Sequence, residues 1–218
     1  MSPRDLALIV GRVGCAATGV VAMTYQFSAL DHTLPTFSHG NFFSFFTIQS
    51  NILAAAVLVA GAIVRGDART RLFDALRGAG TLYIAITGVV FALLLAGHQE
   101  DLDTHIAWVD AVVHEVIPVA VAGDWLLDPP RNRLPVRVAW AWLAYPVLWF
   151  VFTLVRGASV DWYPYPFVDV STIGYGGVAW RSAVLAAAFA GAALAFCRLG
   201  NARVRASSAT RHASIAVR

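Results

Sequence analysis

The chain contains no lysine, only two cysteines and few charged residues, which make up 13% of its 218 positions. A water-soluble domain carries roughly 25% charged residues, so this chain lacks the means to cover a soluble globular surface. Cys15 and Cys197 both fall within apolar runs. Thiols so placed are ordinarily small core residues, which argues against a disulfide framework or a cysteine metal site. No HxxxH or HExxH pair occurs, and with it the helical zinc signature is missing. The apolar region has no fixed-period repeat and no low-complexity block. Nor does it hold the paired interrupted segments that mark inverted-repeat transporters.

What is present is hydrophobic length. Some 58% of the residues are hydrophobic, and six segments approach the ~20 residues that cross a bilayer as a helix. They are 9–29, 42–64, 74–97, 106–127, 137–155 and 176–197. Together they leave no room for a separate soluble domain. The sequence therefore predicts an all-α polytopic membrane protein, a bundle of six transmembrane helices over 1–198. A small, polar, basic stretch over 199–218 reads as a disordered tail whose arginines suit anionic lipid. The first apolar run reaches full span length with Arg12 inside it, unlike a cleavable signal peptide.

All sixteen cations are arginine, and the pI is near 9.2. Arg65, Arg69, Arg71 and Arg77 fall between the second and third spans, Arg131, Arg133 and Arg137 between the fourth and fifth, and Arg198, Arg203, Arg205, Arg211 and Arg218 at the end. The connections 30–41 and 98–105 hold no arginine but contain Asp31, Glu100, Asp101 and Asp103. By the positive-inside rule both termini are cytoplasmic. The positive balance reports topology and implies no nucleic-acid partner.

Polar residues within spans narrow the search for function, because ionisable groups there usually face the bundle interior or a cavity. The run FFSFFTIQSNILAAAVL places Ser44, Thr47 and Asn51 three and four apart, one stripe if the run is a single helix. Counting 1.5 Å per residue from the outer boundary puts Thr47 roughly 8 Å deep and His114 roughly 12 Å deep. Arg181, in the sixth span, comes to about the depth of Thr47 by the same count. A hydroxyl and an imidazole are the minimum for nucleophilic acyl transfer: threonine attacks, and histidine takes its proton and returns it to the leaving alkoxide. Asp110, four residues before His114, would orient the ring. Asn51 would donate to a developing oxyanion, and Arg181 would clamp a substrate carboxylate with its planar fork. No cofactor enters this chemistry.

Each residue has a plainer role. Thr47, Ser50 and Asn51 suit interhelical hydrogen bonds, Arg181 suits snorkelling or a pair with Asp169, and Asp124 suits the inner interface beside Trp125. The connection RGASVDWYPYPFVDVSTIGY (156–175) gathers Trp162, Tyr163, Tyr165 and Phe167 around Pro164 and Pro166. It reads as an interfacial anchor or as a rim over an outward-facing cavity.

FFTIQSN, HEVIPVAVAGDW and WYPYPFVDV, in that order, resemble the bacterial six-transmembrane relatives of the androgen-induced-gene family, which includes the androgen-dependent TFPI-regulating protein. The resemblance implies an intramembrane threonine hydrolase cleaving an ester of the fatty-acid-ester-of-hydroxy-fatty-acid type. It further implies residence in a bacterial inner membrane, with the site opening to the outer side. Carried over by motif, nucleophile and acid/base fall on Thr47 in FFTIQSN and His114 in HEVIP. The roles of Asn51, Asp110 and Arg181 come from the residues and not from the resemblance. Two other readings stay open at this point. One is a metal or haem site gathered from His32, His39, His98, His105 and His114 with Asp31, Asp103 or Asp110; the other is a transporter or small-molecule binding protein without catalysis. The sequence sets no oligomeric state.

Overall fold

The computed structural model describes residues 2–97 and 105–216, with side chains as far as Val204 apart from that of Asp67. His98, Glu100, Asp101 and Asp103 lie outside the described residues, as do the side chains of Arg205, Arg211 and Arg218. The described residues are predominantly helical, with no strand among them. In order come α1 (Pro3–Thr33), α2 (His39–Ser44), α3 (Phe46–Ile63) and α4 (Arg71–Val90), the last continuing as a π turn over Phe91–Leu95. Then follow α5 (Ala107–Ala111), a second π turn (Val112–Val116), α6 (Ile117–Leu127), α7 (Val136–Ala141), α8 (Ala144–Val160) and α9 (Val170–Ala216), the last interrupted at Gly174, whose backbone (φ 66°, ψ 167°) is not helical. Five helical stretches are long and apolar enough to cross a membrane: Pro3–Thr33, Phe46–Ile63, Arg71–Leu95, Val136–Val160 and Val170–Val204. The chain is an all-α polytopic membrane protein. Helical backbone runs on to Ala216, through the stretch whose composition suggests an unstructured tail.

The expected spans 42–64, 106–127 and 137–155 are each interrupted, the last dividing between α7 and α8. In 106–127, the Ile117 N–H bonds the carbonyl of Val112, five residues back. In that register the Val113 carbonyl would accept from residue 118, which is proline and has no N–H, so the π turn leaves that carbonyl without a donor in its own helix. In 42–64, Phe45 takes an extended conformation (φ −64°, ψ 129°) that closes α2 and opens α3. The break turns Phe42 towards Phe27 and Phe37 while Phe45 packs edge-on against Trp162 and Tyr165. Ser44 and Thr47 are therefore on different helices, and the stripe Ser44–Thr47–Asn51 is not continuous. The Ser44 hydroxyl donates to its own helix at the Gly40 carbonyl, 2.6 Å away.

The helices α1, α3, α4 and α6 pack closely, and small residues permit it. Ala16, Gly19 and Ala22 face inward on α1, Ala54 and Gly61 on α3. Gly88 of α4 touches the second π turn: a Cβ there would lie 2.9 Å from Pro118 Cβ and 3.0 Å from the His114 carbonyl oxygen. By contrast α8 reaches the bundle through long aromatic side chains. Tyr145 stacks on Tyr83 with centroids 5.1 Å apart, Trp149 meets Phe46 at 5.3 Å, and Trp149 Nε1 donates to the Ser44 carbonyl at 2.9 Å. Helices held apart by aromatics leave space between α3–α4 and α8–α9.

At the other end of α3 the chain buries an ionic network. Arg77, which a count of loop residues puts between spans, lies inside α4 at 2% exposure. Arg12 donates to Asp124 at 2.7 Å, to Asp128 at 2.5 Å and to the Gly61 carbonyl at 2.6 Å. Arg77 donates to Asp124 at 2.6 Å, and Arg69 reaches Asp74 at 2.8 Å and Asp128 at 2.9 Å. Asp124 is thus the hinge of three helices and not an interfacial residue. Three arginines meet three aspartates, the condition under which buried charge is tolerated. Burial would raise the Asp128 carboxyl, but the hydrogen bond from Arg12 and the charges of Arg69, Arg77 and Arg12 hold it below its ordinary value.

Candidate active site

Thr47 is the second residue of α3, whose N-cap Phe45 supplies no side-chain acceptor. First-turn N–H groups have no partner within their helix, and here the Thr47 N–H donates to the hydroxyl of Tyr165, 3.2 Å away. The Thr47 hydroxyl oxygen lies 3.2 Å from that same phenol oxygen and 3.3 Å from His114 Nε2. His114 Nδ1 is 3.2 Å from the Asp110 carbonyl oxygen. A carbonyl only accepts, so Nδ1 carries the proton and Nε2 is left as acceptor. One arrangement of protons then satisfies every group. Thr47 O–H donates to His114 Nε2, Tyr165 O–H donates to Thr47 Oγ1, and the phenol oxygen accepts the Thr47 N–H. Burial pushes the Tyr165 phenol above its ordinary pKa against the hydrogen bonds to Thr47, which keeps it a neutral donor.

The imidazole is fixed from its face as well. His114 stacks on Phe91, with centroids 3.9 Å apart and planes within 6°. Both rings belong to π turns, Phe91 to the one ending the α4 stretch and His114 to the one before α6. Such turns re-aim side chains and recur at functional sites.

Thr47 and Tyr165 form part of the wall of a cavity of ≈590 Å³ between α3–α4 and α8–α9. Its other walls are overwhelmingly apolar, including Phe46, Val90, Trp149, Phe150 and Phe189. Its size is within the ~300–1,000 Å³ of small-molecule pockets. The hydroxyl of Thr47 is therefore among the few polar groups presented to a space suited to hydrocarbon.

The remaining sequence candidates take other places. Asp110 orients His114 with its main-chain carbonyl. Its carboxylate pairs with His105 at 2.6 Å, and its nearer oxygen to His114 Nδ1 is 3.8 Å away. Asn51 does not offer an oxyanion donor: its amide donates to the Thr47 carbonyl at 2.9 Å and to the Val113 carbonyl at 3.1 Å. The second of these is the carbonyl that Pro118 leaves without a donor, so Asn51 repairs the π turn from the neighbouring helix. Arg181 is exposed, outside the cavity wall and in none of the ion pairs among the described residues. Asp169, the partner considered for it, instead accepts from Ser171 and Thr172 at the start of α9. Ser50 is bound to Thr87, 2.9 Å away. Among the described residues no three histidine, cysteine or carboxylate side chains come together as a metal site.

Tyr165 is the site residue that sequence reasoning passed over. Its loop folds inward: Phe167 stacks on Tyr165 at 5.1 Å, and the Tyr163 ring occupies the space a Cβ on Gly157 would need. A buried tyrosine must find a partner for its hydroxyl, but the sequence does not say that this one is buried. The chain matches no protein-family model, no curated protein and no solved structure.

Proposed function

We propose that the protein is an intramembrane hydrolase of lipid-like acyl esters, with Thr47 as nucleophile and His114 as general acid/base. The observation that carries this reading is the hydrogen-bonded chain from the Asp110 carbonyl through His114 to the Thr47 hydroxyl, at the wall of an apolar cavity. In the first step the Thr47 proton moves to His114 Nε2 and Oγ1 bonds the substrate carbonyl carbon. The Tyr165 hydroxyl, released from Oγ1, donates to the adjacent oxyanion. His114 then returns its proton to the leaving alkoxide. Water, deprotonated by the same ring, then attacks the acyl carbon, the bond to Oγ1 breaks, and the ring returns that proton to Thr47. The resemblance of FFTIQSN and HEVIP to an intramembrane threonine hydrolase family supports the same assignment. It extends it to fatty acid esters of hydroxy fatty acids in a bacterial inner membrane, reached from the outer side.

The test is hydrolysis of a medium-chain p-nitrophenyl ester by the purified chain in detergent, beside Thr47→Ala and His114→Ala. Unfolding temperatures establish that both variants are folded. Turnover by the wild type and its loss in both folded variants is the expected result, and intact-mass analysis should find the acyl group on Thr47. Turnover that survives both substitutions refutes the proposal.

A further inference from the structure

A second hollow, of ≈760 Å³, opens at the other end of the bundle, between the α6–α7 connection and the 198–202 stretch of α9. It is remote from Thr47, since Arg71 opens α4 and the other end of that helical stretch carries Phe91 against His114. Arg71 at the start of α4, Arg133 in the connection, Arg137 in α7 and Arg198 in α9 all line it, and no carboxylate does. Among the described residues none of the four forms an ion pair, whereas Arg12, Arg69 and Arg77 at the same end are each matched to aspartates. The walls are fastened independently of any ligand. Asn201 of α9 accepts from the Leu134 N–H at 2.8 Å and donates to the Leu134 carbonyl at 2.8 Å. The hollow is thus preformed, and its four exposed arginines have no carboxylate partner among the described residues.

Four like charges converging on one space repel one another, and an anion between them relieves that repulsion. Guanidinium forks bind phosphate oxygens two at a time, which an ammonium does not match. Four forks from four elements accommodate two phosphates. Val136 and Ala202 beside them offer apolar contact to whatever carries those phosphates. Basic pockets between helix ends at the cytoplasmic face suit lipid headgroups. We propose that this hollow binds the headgroup of an anionic phospholipid bearing two phosphates. The inference is independent of the hydrolase reading.

The experiment is native mass spectrometry of the full chain in detergent with cardiolipin, phosphatidylglycerol or phosphatidylcholine, and with pyrophosphate as competitor. Cardiolipin adducts should exceed phosphatidylcholine adducts at least tenfold. Arg133→Gln/Arg137→Gln should remove most of that excess, and Arg133→Lys/Arg137→Lys, which keeps charge, should remove part of it. Arg131→Gln, exposed and outside the hollow, should leave it unchanged. An equal loss in Arg131→Gln overturns the proposal in favour of diffuse charge. Equal retention of phosphatidylglycerol overturns the two-phosphate assignment, and displacement of the lipid by stoichiometric pyrophosphate reassigns the hollow to a soluble phosphate.

Discussion

Replacing Gly88 by alanine isolates the contact that sets the position of His114. The added Cβ would lie 2.9 Å from Pro118 Cβ and 3.0 Å from the His114 carbonyl oxygen. Neither neighbour yields cheaply, one being a ring locked to the backbone and the other the backbone itself. Overpacking of this kind costs about 1–3 kcal/mol, while Gly→Ala within a helix returns up to ~1 kcal/mol of propensity. The control is Gly123→Ala in α6, where a Cβ meets nothing within 4 Å. Both variants share the propensity gain, so their difference reports the overpacking alone. Gly88→Ala should unfold below Gly123→Ala by about 1–3 kcal/mol, at roughly 2–4 °C for each kcal/mol in a chain of this size. Because relief requires the π turn to move, His114 Nε2 should also leave Thr47, and a misplacement of ~1 Å costs about 10²-fold in rate. Paired thermal unfolding in detergent and ester turnover measure the two effects. If Gly88→Ala is as stable and as active as Gly123→Ala, the reasoning that this glycine seats the π turn is wrong.

Three further expectations follow from other parts of the structure. Asp124→Asn leaves the buried guanidiniums of Arg12 and Arg77 short of charge and should cost about 3–5 kcal/mol, read as denaturant or thermal unfolding; a loss below 1 kcal/mol contradicts the network's role. Tyr165→Phe strands the Thr47 N–H, costing about 1–3 kcal/mol, and should lower kcat about 10²-fold at nearly constant KM; unchanged kcat reduces Tyr165 to packing. Burial would raise the Asp169 carboxyl, but hydrogen bonds from Ser171 and Thr172 outweigh it and hold the pKa below the ordinary 3.8. Its stabilisation of the turn before Gly174 is therefore complete above that value and lost as pH falls through it. The difference in unfolding temperature between wild type and Asp169→Asn should be constant from pH 7 to 5 and shrink below pH 4.

Thr47 and His114 were legible as a pair because the parity of the spans puts both near one membrane face, whatever the packing. Tyr165 was not, since nothing in a proline-bound aromatic loop says whether it turns outward to the interface or inward to a helix end. Arg181 illustrates the converse: depth alone made it a candidate, and rotation about the α9 axis carried it away from the cavity. Arg77 and Asp124 were misplaced for a related reason. Hydropathy treats each charge as a cost, whereas here the two charges cancel each other across 47 residues of sequence.

The sequence by itself determined the class of the protein. Apolar run length and charge scarcity leave only a helical membrane bundle, because a bilayer requires every backbone group to be satisfied within its own segment. Pro118 removes a donor wherever it is placed, a failure whose position in the ladder the helix register sets. Tertiary structure decided what repaired the failure, namely an Asn51 amide from the neighbouring helix, and with it which way His114 points. It likewise decided that α8 stands off on aromatic side chains, and so that a cavity exists in front of Thr47. Such outcomes depend on distances between helices, which are set by side chains meeting from far apart in the chain.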